Sequence, residues 1–121
     1  MTLTVLAVDD SRTMRDLLHA ALAPQGFDVR LATDGEHGLE MLASVLPDVI
    51  LTDINMPRLD GFGFIRCVRG QARLQGTPIL VLTTESAPEL KARARTAGAT
   101  GWIVKPFDQL KLVAAIRRVA G

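Results

Sequence analysis

Tyrosine is absent from this chain, and tryptophan and cysteine occur once each in 121 residues. The single thiol, Cys67, closes no internal disulfide and cannot form a C-x-x-C redox or zinc pair. It reads as a small buried or half-buried side chain. Net charge is +1, too little for a global field that attracts nucleic acid or a membrane surface. No basic stretch is interleaved with aromatics, so no base-stacking platform is expected. Long apolar runs are missing too. Residues 1–8 lack a basic leader region and end at Asp9 and Asp10, which excludes a signal peptide or a membrane span. Neither repeats, nor low-complexity runs, nor a Pro/Gly-rich linker divide the chain. The expectation is one domain over residues 1–121 with no output domain, cytoplasmic and monomeric, with no nucleic-acid or membrane partner.

What is present is apolar content, 48% by count. That is ample for one core and contrary to disorder. Five short apolar runs predict strands at 4–8, 27–31, 49–52, 79–83 and 102–104. Those at Val5, Val49 and Ile79 are nearly continuous, as in strands buried on both faces. The second alternates, with Asp28 and Arg30 facing away, and reads as an edge strand. Helical stripes lie between the runs. Met14, Leu17, Leu18 and Ala21 form one, ended by Pro24-Gln25-Gly26. Leu39, Leu42, Ala43 and Leu46 form the next, stopped by Pro47. Phe62, Ile65 and Val68 mark a third, weakened by Gly61 and Gly63. Ser86 and Glu89 have capping-box spacing, with Pro88 tolerated in the first turn. Asp108 caps the last helix, which buries Leu112, Val113 and Ile116 and shows Arg117 and Arg118 to water. His19 and His37 read as solvated. Strand and helix alternating five times predict an α/β doubly wound parallel sheet with right-handed crossovers.

In such sheets the site lies beyond the carboxyl ends of the strands. Asp9 and Asp10 follow the first strand. Thr52-Asp53 closes the third, Thr83-Thr84 the fourth, and Lys105-Pro106 follows the fifth. Three carboxylates in one pocket repel, and each raises the cost of ionising the others. A cation offsets that cost. Hard oxygen ligands without His or Cys favour Mg²⁺, Mn²⁺ or Ca²⁺ over zinc or copper. Lys105 adds a point charge on a flexible stem, suited to an oxyanion. Carboxylate, divalent cation, hydroxyl and lysine together suit phosphoryl transfer, and a carboxylate can be the nucleophile.

The strings that carry these residues are Val8-Asp9-Asp10-Ser11, Asp53-Ile54-Asn55-Met56-Pro57 with Asp60-Gly61, Leu82-Thr83-Thr84, and Lys105-Pro106-Phe107. In that order and spacing, across essentially the whole chain, the sequence resembles the receiver domains of two-component response regulators. Thr13-Met14-Arg15 adds a likeness to the stand-alone chemotaxis members. The resemblance implies a flavodoxin-like (βα)5 fold with strand order 2-1-3-4-5. It implies Mg²⁺ as cofactor and Asp53 as phosphoacceptor. Asp10 and Asp53 would ligate the metal directly, Asn55 through its backbone carbonyl, and Asp9 through water. Thr83 would hydrogen-bond the phosphoryl group, Lys105 would pair with it, and the Lys105-Pro106 bond would be cis. Asn55 and Glu85 side chains occupy positions that tune dephosphorylation. Thr83 and Trp102 occupy the switch positions, Trp102 departing from the usual Tyr or Phe. The implied partners are a chemotaxis-type sensor histidine kinase and the flagellar motor switch. Alternatives are a phosphate sink or phosphorelay intermediate, a receiver that no longer takes phosphate, a flavin or nucleotide binder, or an aspartyl-phosphate phosphatase. The phosphatase is disfavoured because Asn55, two residues after Asp53, cannot act as the acid. Intact Asp9, Asp10, Asp53, Thr83 and Lys105 weigh against a degenerate receiver. Nucleotide and flavin binding are disfavoured because neither G-x-x-x-x-G-K nor G-x-G-x-x-G follows the first strand. The expected function is therefore that of a switch, not an enzyme.

Overall fold

The computed structural model describes residues 2–121. The strands are β1 (Thr4–Val8), β2 (Asp28–Ala32), β3 (Val49–Thr52), β4 (Ile79–Thr83) and β5 (Gly101–Val104). The helices are α1 (Arg12–Leu22), α2 (Gly35–Leu42), α3 (Gly61–Arg69), α4 (Pro88–Ala97) and α5 (Gln109–Ala120). All four strand pairings are parallel, and the order is β2-β1-β3-β4-β5. This is the expected flavodoxin-like fold.

The period-2 geometry of the central strands sorts the core into two layers. Leu6, Val8, Ile50 and Val81 point to one face, where Leu42, Phe64, Ile65, Val68 and Ala94 cover them from α2, α3 and α4. Val5, Ala7, Val49, Leu51, Leu80 and Leu82 point to the other, under Leu18, Leu22, Leu112 and Ile116 of α1 and α5. Every residue of β3 and β4 is buried. That matches the nearly continuous apolar runs.

Several boundaries differ from the sequence expectation. Phe27 lies before β2, not in it, yet is buried at 7% exposure and packs under α1 and α5. Leu17 is half exposed, so the α1 stripe runs through Leu18, Ala21 and Leu22. α2 stops at Leu42; Ala43 is its exposed C-cap and Leu46 is solvent-facing. The Ser86–Glu89 capping box does not form, because Ala87 holds the N-cap position of α4 and makes no side-chain cap bond. Pro88 does sit in its first turn. Cys67 is exposed, not buried, because it falls on α3 between the inward-facing Phe64, Ile65 and Val68. His37 is not merely solvated: its Nδ1 accepts the Thr33 amide at 3.0 Å. Asp108 caps α5 as expected, accepting the Lys111 amide at 2.9 Å. Among the described residues no helix is long and apolar enough to cross a membrane.

Candidate functional site

Hydrogen bonds one residue beyond the strands aim the site residues. The Asp9 amide donates to the Ala32 carbonyl at 3.1 Å, and the Asp53 amide to Val8 at 3.0 Å. The Lys105 amide donates to the Thr83 carbonyl at 2.7 Å. Each side chain thereby leaves the carboxyl edge of the sheet in a fixed direction. The Lys105-Pro106 bond is cis.

Lys105 is the hinge of the arrangement. Its Nζ donates to Asp9 Oδ2 at 2.7 Å and to Asp53 Oδ2 at 2.9 Å. Its side chain is only 8% exposed. Burial by itself would push the ammonium down. The hydrogen bonds and negative charge of Asp9 and Asp53 outweigh that and hold it above the ordinary lysine range. The other oxygens are occupied as well. Asp9 Oδ1 accepts the Ser11 amide at 2.9 Å, and Asp53 Oδ1 accepts the Ile54 amide at 2.6 Å. Asp10 is exposed and makes no side-chain hydrogen bond among the described residues. Carboxylate oxygens of Asp9, Asp10 and Asp53 all lie within 4.8 Å of one another. The donors are hard oxygens with a free, solvent-facing side from Asp10, which fits a small divalent cation that keeps several waters.

The remaining predicted residues form the rim. Thr83 is fully buried at the end of β4, and its hydroxyl oxygen lies 3.4 Å from the Glu85 amide. Asn55 Nδ2 donates to Glu85 Oε1 at 3.2 Å, joining the loops after β3 and β4. Trp102 is half-buried against the α2–α4 side of the core, and its indole N–H donates to the Glu85 carbonyl at 3.0 Å. The structure therefore brings Asp9, Asp10, Asp53, Lys105 and Thr83 to one sheet edge, with Asn55, Glu85 and Trp102 bonded along one flank.

Two supports escaped the sequence reading. Arg15 Nη1 donates to the Asp9 carbonyl at 2.8 Å, holding the loop after β1 from α1. Asp34, buried at 2%, caps α2 through the His37 amide at 2.9 Å and binds Arg58 with its other oxygen. Arg58 stands in the left-handed region at φ 67°, which a non-glycine residue adopts at a cost of about 1–2 kcal/mol. The loop after β3 is thus fastened to α2. Asp34 three residues before His37 carries a cap signal in sequence. The Arg58 contact, made across 24 residues, carries none.

Comparison with known proteins agrees with this geometry. The family model described as the response regulator receiver domain matches residues 5–117. Response regulator MprA of Mycobacterium tuberculosis is 39% identical over 97% of this chain and 50% of its own length. The Mycobacterium leprae MprA is 41% identical over 93% and 49%. The chain thus spans about half the length of these curated relatives. Among solved structures, Vibrio cholerae chemotaxis protein CheY4 superposes with a TM-score of 0.94 at 43% identity, covering 98% of this chain and 99% of that one. The receiver domain of sensor histidine kinase PA1611 from Pseudomonas aeruginosa superposes with a TM-score of 0.92 at 27% identity, covering 100% and 99%; its structure has magnesium coordinated in the active-site cleft. With the acidic cluster and its lysine at the sheet edge, and the family model spanning residues 5–117, the chain belongs to the response regulator receiver family.

Proposed function

We propose that Asp53 accepts a phosphoryl group from the phosphohistidine of a sensor kinase and that the phosphorylated domain signals by binding a protein target. One observation carries this reading: Lys105 Nζ bridges Asp9 and Asp53 with Asp10 alongside, so an acceptor carboxylate, a cation site and a fixed positive charge share one edge. An Asp53 carboxylate oxygen attacks phosphorus, the P–N bond to the kinase imidazole breaks, and the imidazole leaves with the electron pair of that bond. Asp9, Asp10, Asp53 and the Asn55 carbonyl are the groups that would hold Mg²⁺, which when bound neutralises charge on the phosphoryl oxygens. Lys105 pairs with one phosphoryl oxygen, and the Thr83 hydroxyl donates to another. The Asn55–Glu85 pair limits the approach of hydrolytic water. The residue two after Asp53 is Asn55, which cannot donate a proton as the acid of a turnover phosphatase does, so the reading is of a switch and not an enzyme.

The chemotaxis reading, with the flagellar motor switch as target, draws support from the 43% identity to CheY4 over nearly all of both chains. The kinship with MprA supports two-component signalling in general. To test the first step, the protein is incubated with Mg²⁺ and acetyl phosphate, the acyl phosphate is trapped with borohydride, and the labelled peptide is mapped. Label appears on Asp53 and vanishes in Asp53→Asn; label elsewhere sinks the reading. Binding of a motor-switch peptide that strengthens with beryllofluoride separates the motor role from a phosphate sink.

A further inference from the structure

Charge is distributed unevenly along this nearly neutral chain. Residues 1–60 carry ten acidic and four basic side chains, and residues 61–121 carry three acidic and ten basic. Three of these ten cations, Arg66, Arg69 and Arg93, come together where α3 meets α4. A groove of roughly 410 Å³ lies there, lined by Arg66, Arg69, Arg93 and Thr96, with Gly70 and Ala97 at its walls.

Its three arginines are held differently. Arg69 is pinned: its Nε donates to the Gly98 carbonyl at 3.0 Å and its Nη1 to Leu74 at 2.8 Å. Arg93 stacks on the Phe62 ring, with its guanidinium carbon 4.0 Å from the ring centroid. That contact fixes the plane while leaving the N–H edges free. Arg66 is exposed, and neither it nor Arg93 forms an ion pair among the described residues. A guanidinium fork held by its ring contact with open donors, as at Arg93, matches a carboxylate two bonds at a time, and the exposed Arg66 adds a second open fork beside it. The small wall residues let a backbone come close. Lys91 and Arg95 face a separate hollow toward Trp102, so the groove is one side of α4 only.

We propose that the α3–α4 groove docks an acidic polypeptide segment of a partner protein, independently of the phosphorylation state of Asp53. Independence follows from the contacts: those that hold Arg69 and Arg93 involve Gly98, Leu74 and Phe62, and none involves Asp53, Thr83 or Lys105. A polypeptide fits better than nucleic acid. The cations line one short cleft with no aromatic among its lining residues, and Phe62, on which Arg93 stacks, is buried, so bases have no ring to stack on.

A fluorescein-labelled oligoglutamate peptide serves as the probe, read by anisotropy. Arg66→Gln with Arg93→Gln weakens binding by about tenfold or more, whereas Lys91→Gln with Arg95→Gln, an equal loss of charge, changes it by less than about threefold. Added salt weakens the wild-type complex. Asp53→Asn and beryllofluoride leave it unchanged. Equal loss in both double variants overturns the site in favour of diffuse attraction. Tighter binding of a thymidine oligonucleotide of matched charge overturns the polypeptide partner. A change of about tenfold with beryllofluoride overturns the independence. Neither the Arg66 nor the Arg93 side chain donates a hydrogen bond among the described residues, and circular dichroism of the variants verifies their folding.

Discussion

At the residue scale, Lys105 has two jobs that oppose each other. Its ammonium bonds Oδ2 of both Asp9 and Asp53, two of the three carboxylates grouped as a candidate cation site. Without it, those carboxylates lose a competing positive charge. Lys105→Met therefore tightens Mg²⁺ by about tenfold, the scale on which a neighbouring charge shifts a carboxylate, while phosphorylation by acetyl phosphate slows. Calorimetry showing equal or weaker Mg²⁺ affinity contradicts this. The raised pKa also has a pH signature. A folded pKa above the unfolded value means the stabilisation is complete below the unfolded lysine pKa of about 10.4 and is lost as pH rises through the folded one. Stability against urea in the alkaline range falls more steeply for wild type than for Lys105→Met. Asp34 behaves with the opposite sign. The His37 amide, then Arg58, lowers its pKa, so its contribution is present above the unfolded aspartate value and fades as pH falls through the folded one. Asp34→Ala loses about 1 kcal/mol from the cap alone. The acidic residues and Lys105 were legible in sequence because each ends an apolar run. Cys67 and His37 were not, because periodicity assigns a face only to within a neighbouring residue and says nothing of local bonds such as that from Thr33.

At the element scale, α3 starts where the acceptor loop ends, and Gly61 makes the join. A Cβ there would meet the Asp53 carbonyl oxygen at 2.2 Å and the Ile54 Cα at 2.7 Å. Both are backbone atoms and cannot step aside cheaply. Gly61→Ala destabilises by about 1–3 kcal/mol, as overpacking does, and slows phosphorylation because Asp53 must shift. Gly76→Ala meets nothing within 4 Å and stays within about 0.5 kcal/mol. Urea titrations of the pair decide it; equal effects mean that the join is not tight. By periodicity Gly61 and Gly63 look like helix weakeners, and Gly61 gains only a place in a family string. Their use appears once α3 is packed on the loop that carries Asp53. Spacing also misled at α4, where Ser86 and Glu89 fit a box but the helix begins one residue later than Ser86 could cap. The loop after β4 also bonds the indole of Trp102 through Glu85. Beryllofluoride with Mg²⁺, as against Mg²⁺ alone, changes Trp102 emission or quenching, and Thr83→Ala blunts the change. Identical spectra at confirmed occupancy make Trp102 a static packing residue.

At the scale of the whole molecule, the sheet separates two apolar layers that share no residues. Ile65 and Ile116 are fully buried on opposite faces. Ile65→Val and Ile116→Val each cost about 0.5–1.5 kcal/mol, and the double variant adds to within about 0.5 kcal/mol. Strong coupling in a double-mutant cycle means the sheet transmits strain between layers. Layering was readable from the strand–helix alternation, whereas the strand order came only with the family resemblance, because alternation alone does not say which strands are neighbours. The Lys105 contact with Asp9 joins residues 96 positions apart. A chain still emerging from the ribosome thus presents Asp9, Asp10 and Asp53 before the lysine that balances them exists. Until β5 has joined the sheet edge, a half-made domain carries mutually repelling carboxylates and lacks the ammonium that pairs with Asp9 and Asp53. The carboxylate cluster is therefore balanced only once the fifth strand of this sheet has been synthesised.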